Sequence, residues 1–401
     1  MSNAFSRRSF LRSTALGAGL AAMAGHRAGQ AAEEVIQGFE RAEGNIDRAA
    51  VWEPVSDRVL RVGIVGYGVC KFGADFGFQN HPSVKVAAVS DLFPERCAEL
   101  AKVCRCEKTY PSLEELVKDD SIEAVFVATD APSHARHCME VLRHGKHAAC
   151  AVPACFGNIE EGKQLLQTVK ETGLNYMMFE TSAYHDEVHA MREIYRAGRF
   201  GRMVYSEGEY YHYMEGPIDS YKGWRIGLPP QWYPTHSNAY EVAVTGQSFT
   251  EVSCMGIPSI IEHLKPGNNS YANPFGTEVA QFRTSGGGMS RMAVSWDTPG
   301  HHGEKGRVRG DKGSMEQMNF EGVVDVADLN LKKPPLPPTV SSGGHGGSHG
   351  NLCEEFVRSV LENRKPLVDI VAALNMTVAG IVAHQSALKD GELLKIPQFT
   401  L

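Results

Sequence analysis

Short apolar runs alternate with segments of helical periodicity between residues 59 and 180. The runs are rich in β-branched residues, and the segments between them carry apolar positions three to four residues apart. This alternation is typical of parallel βαβ units and predicts a doubly wound α/β sheet. The turn at residues 130–133, which contains Pro132, is expected to cap the middle helix. The predicted strands are 60–65, 84–90, 124–128, 147–152 and 175–179, and the predicted helices are 95–103, 133–143 and 159–171.

The pattern changes at about residue 181. A helix at 187–197 is followed by alternating strands, which suit an antiparallel sheet with one covered face. A Pro-rich loop (331–340) and a Gly/His-rich loop (341–350) precede two final helices. We therefore predict a Rossmann domain over 59–180 and an α+β domain with an open, mainly antiparallel sheet over 181–401. The predicted strands of the second domain are 204–213, 277–284 and 290–296, and its last helices are 352–362 and 370–389.

The N-terminus has the pattern of a twin-arginine signal peptide. Arg7 and Arg8 precede a mild Ala/Gly/Leu run at residues 13–25, and small residues follow near Ala31 and Ala32. The run falls short of the about 20 apolar residues that span a bilayer, so no stable membrane span is expected. An arginine pair before an amphipathic helix is the alternative. We expect a signal peptide at 1–32, a linker at 33–58, and a folded protein that the twin-arginine translocation machinery exports to the periplasm or another extracytoplasmic space.

Composition narrows the classes of partner. The 401 residues are 42% hydrophobic and carry a formal net charge of -7, without a basic stripe that would neutralise a phosphate backbone. Nucleic acid is therefore not expected as a partner. Nine cysteines are an odd number for a disulfide framework, and we interpret them as packed thiols. Cys104 and Cys106 lack a second pair at zinc-like spacing, so no metal is predicted.

A glycine turn follows the first predicted strand. It consists of Gly66, Tyr67 and Gly68, where the backbone can approach a pyrophosphate at the N-terminus of the next helix. Lys71 occupies the place of the usual third glycine, and Gly73 comes two residues later. Asp91 ends the second strand, where its carboxylate can bind the adenosine ribose and would repel a 2′-phosphate. The sequence therefore predicts NAD, with NADP less favoured. A purely structural turn with a helix-capping aspartate is the alternative.

The order of several short motifs resembles the Gfo/Idh/MocA oxidoreductase family over nearly all of the chain after the signal. They include the glycine turn, Asp91 with Arg96, and Thr129 followed by His134; further matches lie at 145–147, 345–349, 363–366 and 383–388. The resemblance implies a Rossmann domain plus an open antiparallel sheet, a bound NAD, and a homodimer or homotetramer joined through the sheets. It places Arg96 and Thr129 near the cofactor.

The chain departs from the family's dehydrogenases at the end of the fifth strand. Those enzymes carry Glu-Lys-Pro, whose lysine assists hydride transfer, whereas this chain has Ala151, Val152 and Pro153. Valine cannot move a proton. The Val-Pro-Ala version resembles glycoside hydrolase family 109, the NAD-dependent glycosidases of the same superfamily. That resemblance assigns catalysis to Tyr233 and His236, in a Tyr-Pro-Thr-His segment, and keeps Val152 and Pro153 beside the cofactor.

The implied reaction returns its own hydride. NAD⁺ removes hydride from a sugar carbon, which the resemblance implies is C3, the C2 proton becomes acidic, the C1 substituent leaves, water adds, and the hydride returns. Of the two residues, His236 has the side-chain pKa closer to neutral pH, which suits these proton transfers. Tyr233 would need a cationic or hydrogen-bonding neighbour to act as a base. Which of the two is the base stays open, and a structural role for His236 is the alternative.

Other polar residues are candidates for cofactor or substrate contacts. His134 begins a helix at the carboxyl edge of the sheet, where it could touch cofactor or substrate or simply cap the helix. Glu180 could bind the nicotinamide ribose or a sugar hydroxyl, or could be a surface carboxylate. Aromatic rings stack on sugars and arginine donates forked hydrogen bonds, although aromatic residues are also common on sheets. The predicted substrate-binding set is Tyr184, Tyr210, His212, Trp224, Arg225 and His345, the last on a mobile or merely disordered loop.

Three functions remain open from sequence. The first is an NAD-dependent glycosidase-like enzyme acting on a small carbohydrate or glycoside. The second is a sugar oxidoreductase with a tightly bound cofactor. The third is a non-catalytic protein that binds NAD or a sugar, which the missing lysine would also fit.

Overall fold

A computed structural model describes residues 51–401. The predicted signal peptide and residues 33–50 of the predicted linker lie outside the described residues. The described chain contains two sheets, and the buried hydrophobic side chains of both belong to one continuous cluster.

The first sheet is parallel and six-stranded, with the order β3-β2-β1-β4-β5-β6. Its order reverses between β1 and β4, which creates the crevice at which such sheets bind ligands. The doubly wound α/β prediction is confirmed, and the only strand missed here has two residues. The strands are β1 (Leu60–Val65), β2 (Val84–Ser90), β3 (Thr109–Tyr110), β4 (Ala124–Val127), β5 (His147–Cys150) and β6 (Tyr176–Met178).

Five helices connect these strands. The longest begins at Asn158, whose side chain accepts the amide hydrogens of Glu160 and Glu161, and it ends at Gly173 in the left-handed region. The cap predicted before the fourth helix is wrong. A 3₁₀ turn, Ala131–Ser133, intervenes, so Asp130 accepts a hydrogen bond from the Ser133 hydroxyl instead of a helix amide. The helices are α1 (Phe72–Asp75), α2 (Pro94–Val103), α3 (Leu113–Leu116), α4 (His134–Arg143) and α5 (Ile159–Thr172).

The second sheet has eight strands in the order β13-β12-β11-β7-β10-β9-β8-β14. All neighbours are antiparallel except β7 and β10, so the predicted open, mainly antiparallel sheet is confirmed. The strands are β7 (Met203–Tyr211), β8 (Phe249–Pro258), β9 (Phe275–Thr284), β10 (Met289–Ser295), β11 (Gly303–Gly310), β12 (Gly313–Glu316), β13 (Asn319–Gly322) and β14 (Leu394–Lys395).

The helices of this half are α6 (Asp186–Arg196), α7 (Thr235–Thr245), α8 (Gly344–Gly347), α9 (His349–Leu361) and α10 (Ile370–Ala387). The sequence did not predict α7. All of its residues before Thr245 are buried, so it shows no apolar stripe. It packs closely on β7 at Gly208, where a Cβ atom would lie 2.0 Å from the Ser237 carbonyl oxygen. This close approach holds α7 against the sheet.

Helix α10 is long and apolar enough to cross a membrane, but 83% of that stretch is buried inside the fold. The segment that precedes α7 approaches α10 at Gly380, where a Cβ atom would lie 2.2 Å from the Gln231 carbonyl oxygen. Its all-round apolar character therefore matches a core helix.

Candidate active site

A cavity of about 390 Å³ opens at the carboxyl edge of the parallel sheet, beside the crevice between β1 and β4. Five of the ten predicted cofactor residues line it: Gly66, Gly68, Asp91, Arg96 and Thr129. The edge is the expected location of a dinucleotide in this type of sheet.

At this edge of the sheet, three positions are glycine for different physical reasons. Gly66 has a φ of 102°, and a Cβ atom there would lie 2.3 Å from the Ala128 carbonyl oxygen. Gly68 has no atom within 4 Å of such a Cβ position, so its backbone is open to a ligand. At Gly73 a Cβ atom would lie 2.4 Å from the Gly66 carbonyl oxygen. Gly73 thus provides the close packing that the absent third glycine gives in other sheets of this type.

The helix after the turn differs from the prediction. Helix α1 spans only four residues, and Lys71 before it is left-handed with φ 50°. A single turn sums few peptide dipoles, so helix α1 would contribute little to the binding of a pyrophosphate at its N-terminus. The open backbone at Gly68 and cations that line the cavity, among them Arg96 and Arg136, remain available to phosphate groups.

Asp91 is buried at the end of β2 and faces the same cavity. Its Oδ2 accepts the amide hydrogen of Tyr67 at 2.7 Å, and its Oδ1 accepts that of Phe93 at 2.9 Å. Each carboxylate oxygen still has a lone pair for a ribose hydroxyl. These residues fit the adenosine half of NAD, with Gly66, Gly68 and Arg96 around its phosphates. Tyr67 contributes its backbone, since its side chain is buried.

His134 does not line this cavity. Its Nδ1 lies 2.9 Å from the Pro153 carbonyl oxygen and its Nε2 lies 3.1 Å from that of Thr129. Burial opposes its charge, but Cys150 and the two carbonyls raise the pKa of His134 to about 9. The imidazolium therefore joins the loops after β4 and β5. The predicted cofactor or substrate contact is not supported, because both nitrogens already have partners.

The segment after β5 is buried. Val152 and Pro153 are joined by a cis peptide bond, and the carbonyl of Pro153 contacts His134. The apolar side chain at Val152 offers no proton donor or acceptor where the related dehydrogenases have lysine.

The inner end of the cavity is formed by Cys70, Trp224 and Arg225. Arg225 donates a hydrogen bond to the Cys70 sulfur at 3.4 Å, and its guanidinium lies 4.2 Å from the Trp224 ring centre. The same guanidinium lies 5.9 Å from the ring of Tyr233. Burial raises the pKa of Tyr233 to about 12, while the neighbouring Arg225 charge acts in the opposite direction. Tyr233 is thus a neutral phenol beside a fixed cation.

Behind this arginine the structure brings the predicted catalytic pair together. Tyr233 and His236 are 5% and 4% exposed, and their rings lie 5.6 Å apart. The His236 Nδ1 lies 2.8 Å from Glu180 Oε1 and 3.2 Å from Thr181 Oγ1. Tyr210 packs edge-on against His236, with ring centres 4.6 Å apart. Helix α7 supplies the histidine, and the end of the parallel sheet supplies the carboxylate.

Two further charged residues complete the cluster, and the sequence did not predict either. Glu304 Oε1 lies 3.6 Å from His236 Nδ1, and its Oε2 lies 3.0 Å from His185 Nε2. Glu304 reaches the cluster because β11 pairs with β7, which places it opposite Tyr210. We call Glu180, His185, His236 and Glu304 the His/Glu cluster.

Charges in the His/Glu cluster stabilise one another. Burial opposes protonation of His236, but Glu180 and Glu304 raise its pKa. In the same way, Glu304 raises the pKa of His185 to about 10 against the effect of burial. Burial acts to raise the pKa of Glu304, but the two histidines hold it well below its usual range. The two carboxylates therefore favour the protonated form of His236, which suits a proton donor rather than a base.

The second carboxylate oxygen of Glu180 has no hydrogen-bond partner within residues 51–401, although it is fully buried. A buried carboxylate oxygen without a partner is costly. It can accept a hydroxyl of the nicotinamide ribose or of a sugar, as the sequence predicted. Glu180 is thus not a surface carboxylate.

Most predicted substrate residues surround this cluster. The Tyr210 hydroxyl lies 3.1 Å from His212 Nδ1, and His345 interacts with Glu304 and His236. The Nδ1 atom of His345 lies 2.9 Å from His349 Nε2. Burial lowers the pKa of His345 and so keeps this histidine neutral. Trp224 and Arg225 close the cluster towards the cavity.

Tyr184 lies elsewhere. Successive side chains of the 3₁₀ turn Ser182–Tyr184 point about 120° apart. The Ser182 hydroxyl donates to Glu304 at 2.7 Å, whereas the Tyr184 ring lines a second cavity with Arg192. The substrate role predicted for Tyr184 is therefore not supported.

All nine cysteines are free, and eight of them are buried. Within residues 51–401, no group of three or more His, Cys, Asp or Glu side chains is arranged to hold a metal ion.

Comparison with known proteins agrees with this geometry. Residues 60–180 match the Gfo/Idh/MocA model, described as an oxidoreductase family with an NAD-binding Rossmann fold. The chain is 24% identical to a glycosyl hydrolase family 109 protein of Saccharopolyspora erythraea, an alignment that covers 100% of this chain and 95% of that protein. It is 30% identical to glycosyl hydrolase family 109 protein 1 of Bacteroides fragilis over 46% of this chain and 42% of that protein.

Solved structures show the same fold. Levoglucosan dehydrogenase in complex with NADH and L-sorbose superposes with a TM-score of 0.72 at 18% identity, covering 85% of this chain and 100% of that one. The apo scyllo-inositol dehydrogenase of Lactobacillus casei gives 0.65 at 15% identity, covering 85% and 99%. The resemblance recognised from the sequence is therefore confirmed: residues 60–180 are a Gfo/Idh/MocA NAD-binding domain, in an enzyme that is similar along its whole length to glycosyl hydrolase family 109 proteins.

Proposed function

We propose that this NAD-dependent, sugar-related enzyme is a glycosidase that cleaves its substrate by transient oxidation, without net redox change. The observation that carries the proposal is the buried cluster in which His236 pairs with two carboxylates next to Tyr233, in a chain that has Val152 where family dehydrogenases have lysine. A net dehydrogenase needs one base at the reacting hydroxyl, whereas cleavage with hydride return needs separate groups to remove and to donate protons.

The residues of the chain divide these tasks. Bound NAD⁺ would supply a reversible hydride acceptor for a sugar carbon, assigned by resemblance to C3, which makes the C2 proton acidic. Protonated His236 donates its proton to the departing C1 oxygen, because Glu180 and Glu304 favour the charged imidazolium. Tyr233 first loses its phenolic proton to solvent, and Arg225 stabilises the resulting phenolate. This phenolate then takes the C2 proton and becomes a neutral phenol again. Glu180 Oε2 accepts a hydroxyl hydrogen and orients the bound group.

Sugar binding involves the side chains that close the cluster. Trp224 and Arg225 separate the described cavity from Tyr233. A sugar that reaches His236 therefore enters past these two side chains, and the indole face of Trp224 is suited to stack on its ring. Tyr210, His212 and His345 are placed to contact its hydroxyl groups.

The proposed location is consistent with the proposed reaction. The Arg7-Arg8 pair favours export of the folded holoenzyme, and we propose an extracytoplasmic site of action. A compartment without a large pool of free nicotinamide cofactor favours an enzyme that returns each hydride to its product. A tightly held NAD follows from the same argument.

The reaction test uses the purified holoenzyme, p-nitrophenyl α- and β-glycosides, and deuterated water. We expect release of nitrophenol, deuterium at C2 of the free sugar, and no lasting rise in absorbance from NADH. Mass spectrometry of the product and absorbance at the nicotinamide band measure these outcomes. Stoichiometric NADH accumulation without deuterium at C2 would refute the proposal and favour a sugar oxidoreductase.

The preference for NAD over NADP is tested at Asp91. Its buried carboxylate sits where a 2′-phosphate would be repelled, so Asp91→Ser is expected to narrow the NADH-to-NADPH affinity ratio by about tenfold, or about 1.4 kcal/mol. Fluorescence titration with both cofactors measures the ratio. Glu99→Ser removes an exposed carboxylate from the next helix and serves as the control. An unchanged ratio in Asp91→Ser would show that this carboxylate does not discriminate.

A further inference from the structure

A second cavity, of about 1000 Å³, lies apart from the proposed active site, between α6, α9 and the Pro-rich segment before α8. Its lining contains seven cationic side chains and three carboxylates. The cavity faces away from the His/Glu cluster, on the other side of the turn Ser182–Tyr184. Such an excess of cations favours a negatively charged occupant.

The three carboxylates of this cavity already have partners. Glu193 pairs with Arg196 at 2.9 Å, and Glu355 binds Arg364 through both oxygens at 2.7 and 2.8 Å. Glu354 lies 2.7 Å from His81 and 3.3 Å from Arg358, and Lys333 pairs with Asp186 at 2.8 Å. Among the lining cations, Arg192, Lys332 and Lys365 therefore have no carboxylate within ion-pair distance in the described part of the chain.

Arg192 is the central unneutralised cation. It is 5% exposed, and its guanidinium donates to the Ala183 carbonyl at 3.0 Å and contacts His189 Nδ1 at 3.2 Å. Within the described part of the chain no carboxylate lies within ion-pair distance of it. A buried cation that has hydrogen bonds but no counter-charge is costly to the fold. A bound anion would remove this cost.

Tyr184 supplies an independent observation. Its ring is 8% exposed, and its hydroxyl has no hydrogen-bond partner among residues 51–401. The hydroxyl lies within electrostatic range of the Glu355 carboxylate, which Arg364 binds, and of the guanidinium groups of Arg192, Arg196 and Arg364. A buried hydroxyl among three arginines is a ready donor for an oxyanion, and it is expensive to leave unpaired.

We propose that this cavity is a second binding site, for a small molecule that carries a carboxylate or a phosphate group. Arg192 and the Tyr184 hydroxyl bind the oxyanion, and the prolines at 334, 335 and 366 with Leu367 pack against its apolar part. The size of the cavity matches the upper range of small-molecule sites. This site is separate from the cofactor and sugar site, so it does not depend on the proposed reaction.

The test uses the full chain saturated with NAD, so that phosphate cannot bind in the cofactor cavity. Isothermal titration calorimetry with inorganic phosphate, and separately with D-glucuronate, identifies which oxyanion is bound. We expect saturable binding of at least one probe, about tenfold weaker in Tyr184→Phe and lost in Arg192→Gln. Tyr211→Phe removes a hydroxyl on β7, outside this cavity, and should bind each probe as the wild type does.

Tyr184→Phe keeps the test decisive if Arg192→Gln does not fold. It removes only an unpartnered hydroxyl, so its thermal unfolding midpoint without ligand should be unchanged or higher. Absence of saturable binding for both probes, or equal affinity in wild type and Tyr184→Phe, would overturn the proposal.

Discussion

Replacing His236 with alanine is expected to lower kcat by about 10²- to 10⁴-fold, the usual contribution of a positioned general acid. The imidazole contacts both Glu180 and Glu304, and these carboxylates favour its protonated form. Alanine removes the group to which the proposed reaction assigns proton donation to the departing oxygen. The loss should be smaller for substrates whose leaving group needs no proton. Comparing alkyl glycosides with nitrophenyl glycosides measures this difference directly.

The control for this variant is His144→Ala, which removes a partly exposed histidine from the end of α4. His144→Ala should keep wild-type kcat, and both variants should keep wild-type NAD affinity, because neither residue lines the cofactor cavity. Retention of more than a tenth of the wild-type kcat by His236→Ala on an alkyl glycoside would show that His236 is structural.

Periodicity predicted the parallel sheet well because its strands are short apolar runs between strongly amphipathic helices. Helix α4, for example, buries Cys138, Val141 and Leu142 on one face and exposes the other. Helix α7 was not predictable in this way. Its residues are buried on every side, and its sequence places Thr, His, Ser and Asn within its first turn. The helix is explained by its tertiary packing against Gly208 and not by the local pattern of its residues.

Strands β11 to β13 were missed for a different reason. The sequence of β11 is Gly-Glu-Lys-Gly-Arg-Val-Arg-Gly, with one apolar side chain in eight positions. Its pairing with β7 therefore depends on long-range hydrogen bonds and not on a local apolar pattern. This strand carries Glu304, so the same absence of a local signal concealed a central residue of the site.

The site itself could be predicted in part. The glycine turn and Asp91 followed from the spacing typical of dinucleotide sites, whereas Tyr233 and His236 were identified by resemblance. Neither route could show that His185 joins the cluster, because its contact with Glu304 spans more than a hundred residues. The direction of side chains in a single 3₁₀ turn is equally invisible in the sequence, and it separates Tyr184 from Ser182.

The ion pairs of Glu304 also predict a pH-dependent stability. Because the histidines lower the pKa of Glu304 below its usual 4.5, its contribution is present above pH 4.5 and is lost as the pH falls through the lowered value. The raised pKa of His185, about 10 against the usual 6.5, contributes stability that is complete below pH 6.5 and is lost as the pH rises to about 10. Both contributions are therefore complete only between about pH 5 and pH 6.5.

Glu304→Gln is accordingly expected to lower the free energy of unfolding by about 3 kcal/mol at pH 6, because it leaves two buried imidazolium groups without this counter-charge. At pH 10 the difference from the wild type should be clearly smaller, since about half of the wild-type His185 is then neutral. Urea unfolding at pH 6 and pH 10 measures this difference in the free energy of unfolding. The control is Glu316→Gln, an exposed carboxylate on β12 that pairs with Arg307 at 3.5 Å and should change stability by less than about 1 kcal/mol at either pH. Equal destabilisation by Glu304→Gln at pH 6 and pH 10 would mean that Glu304 acts through packing rather than through its charge.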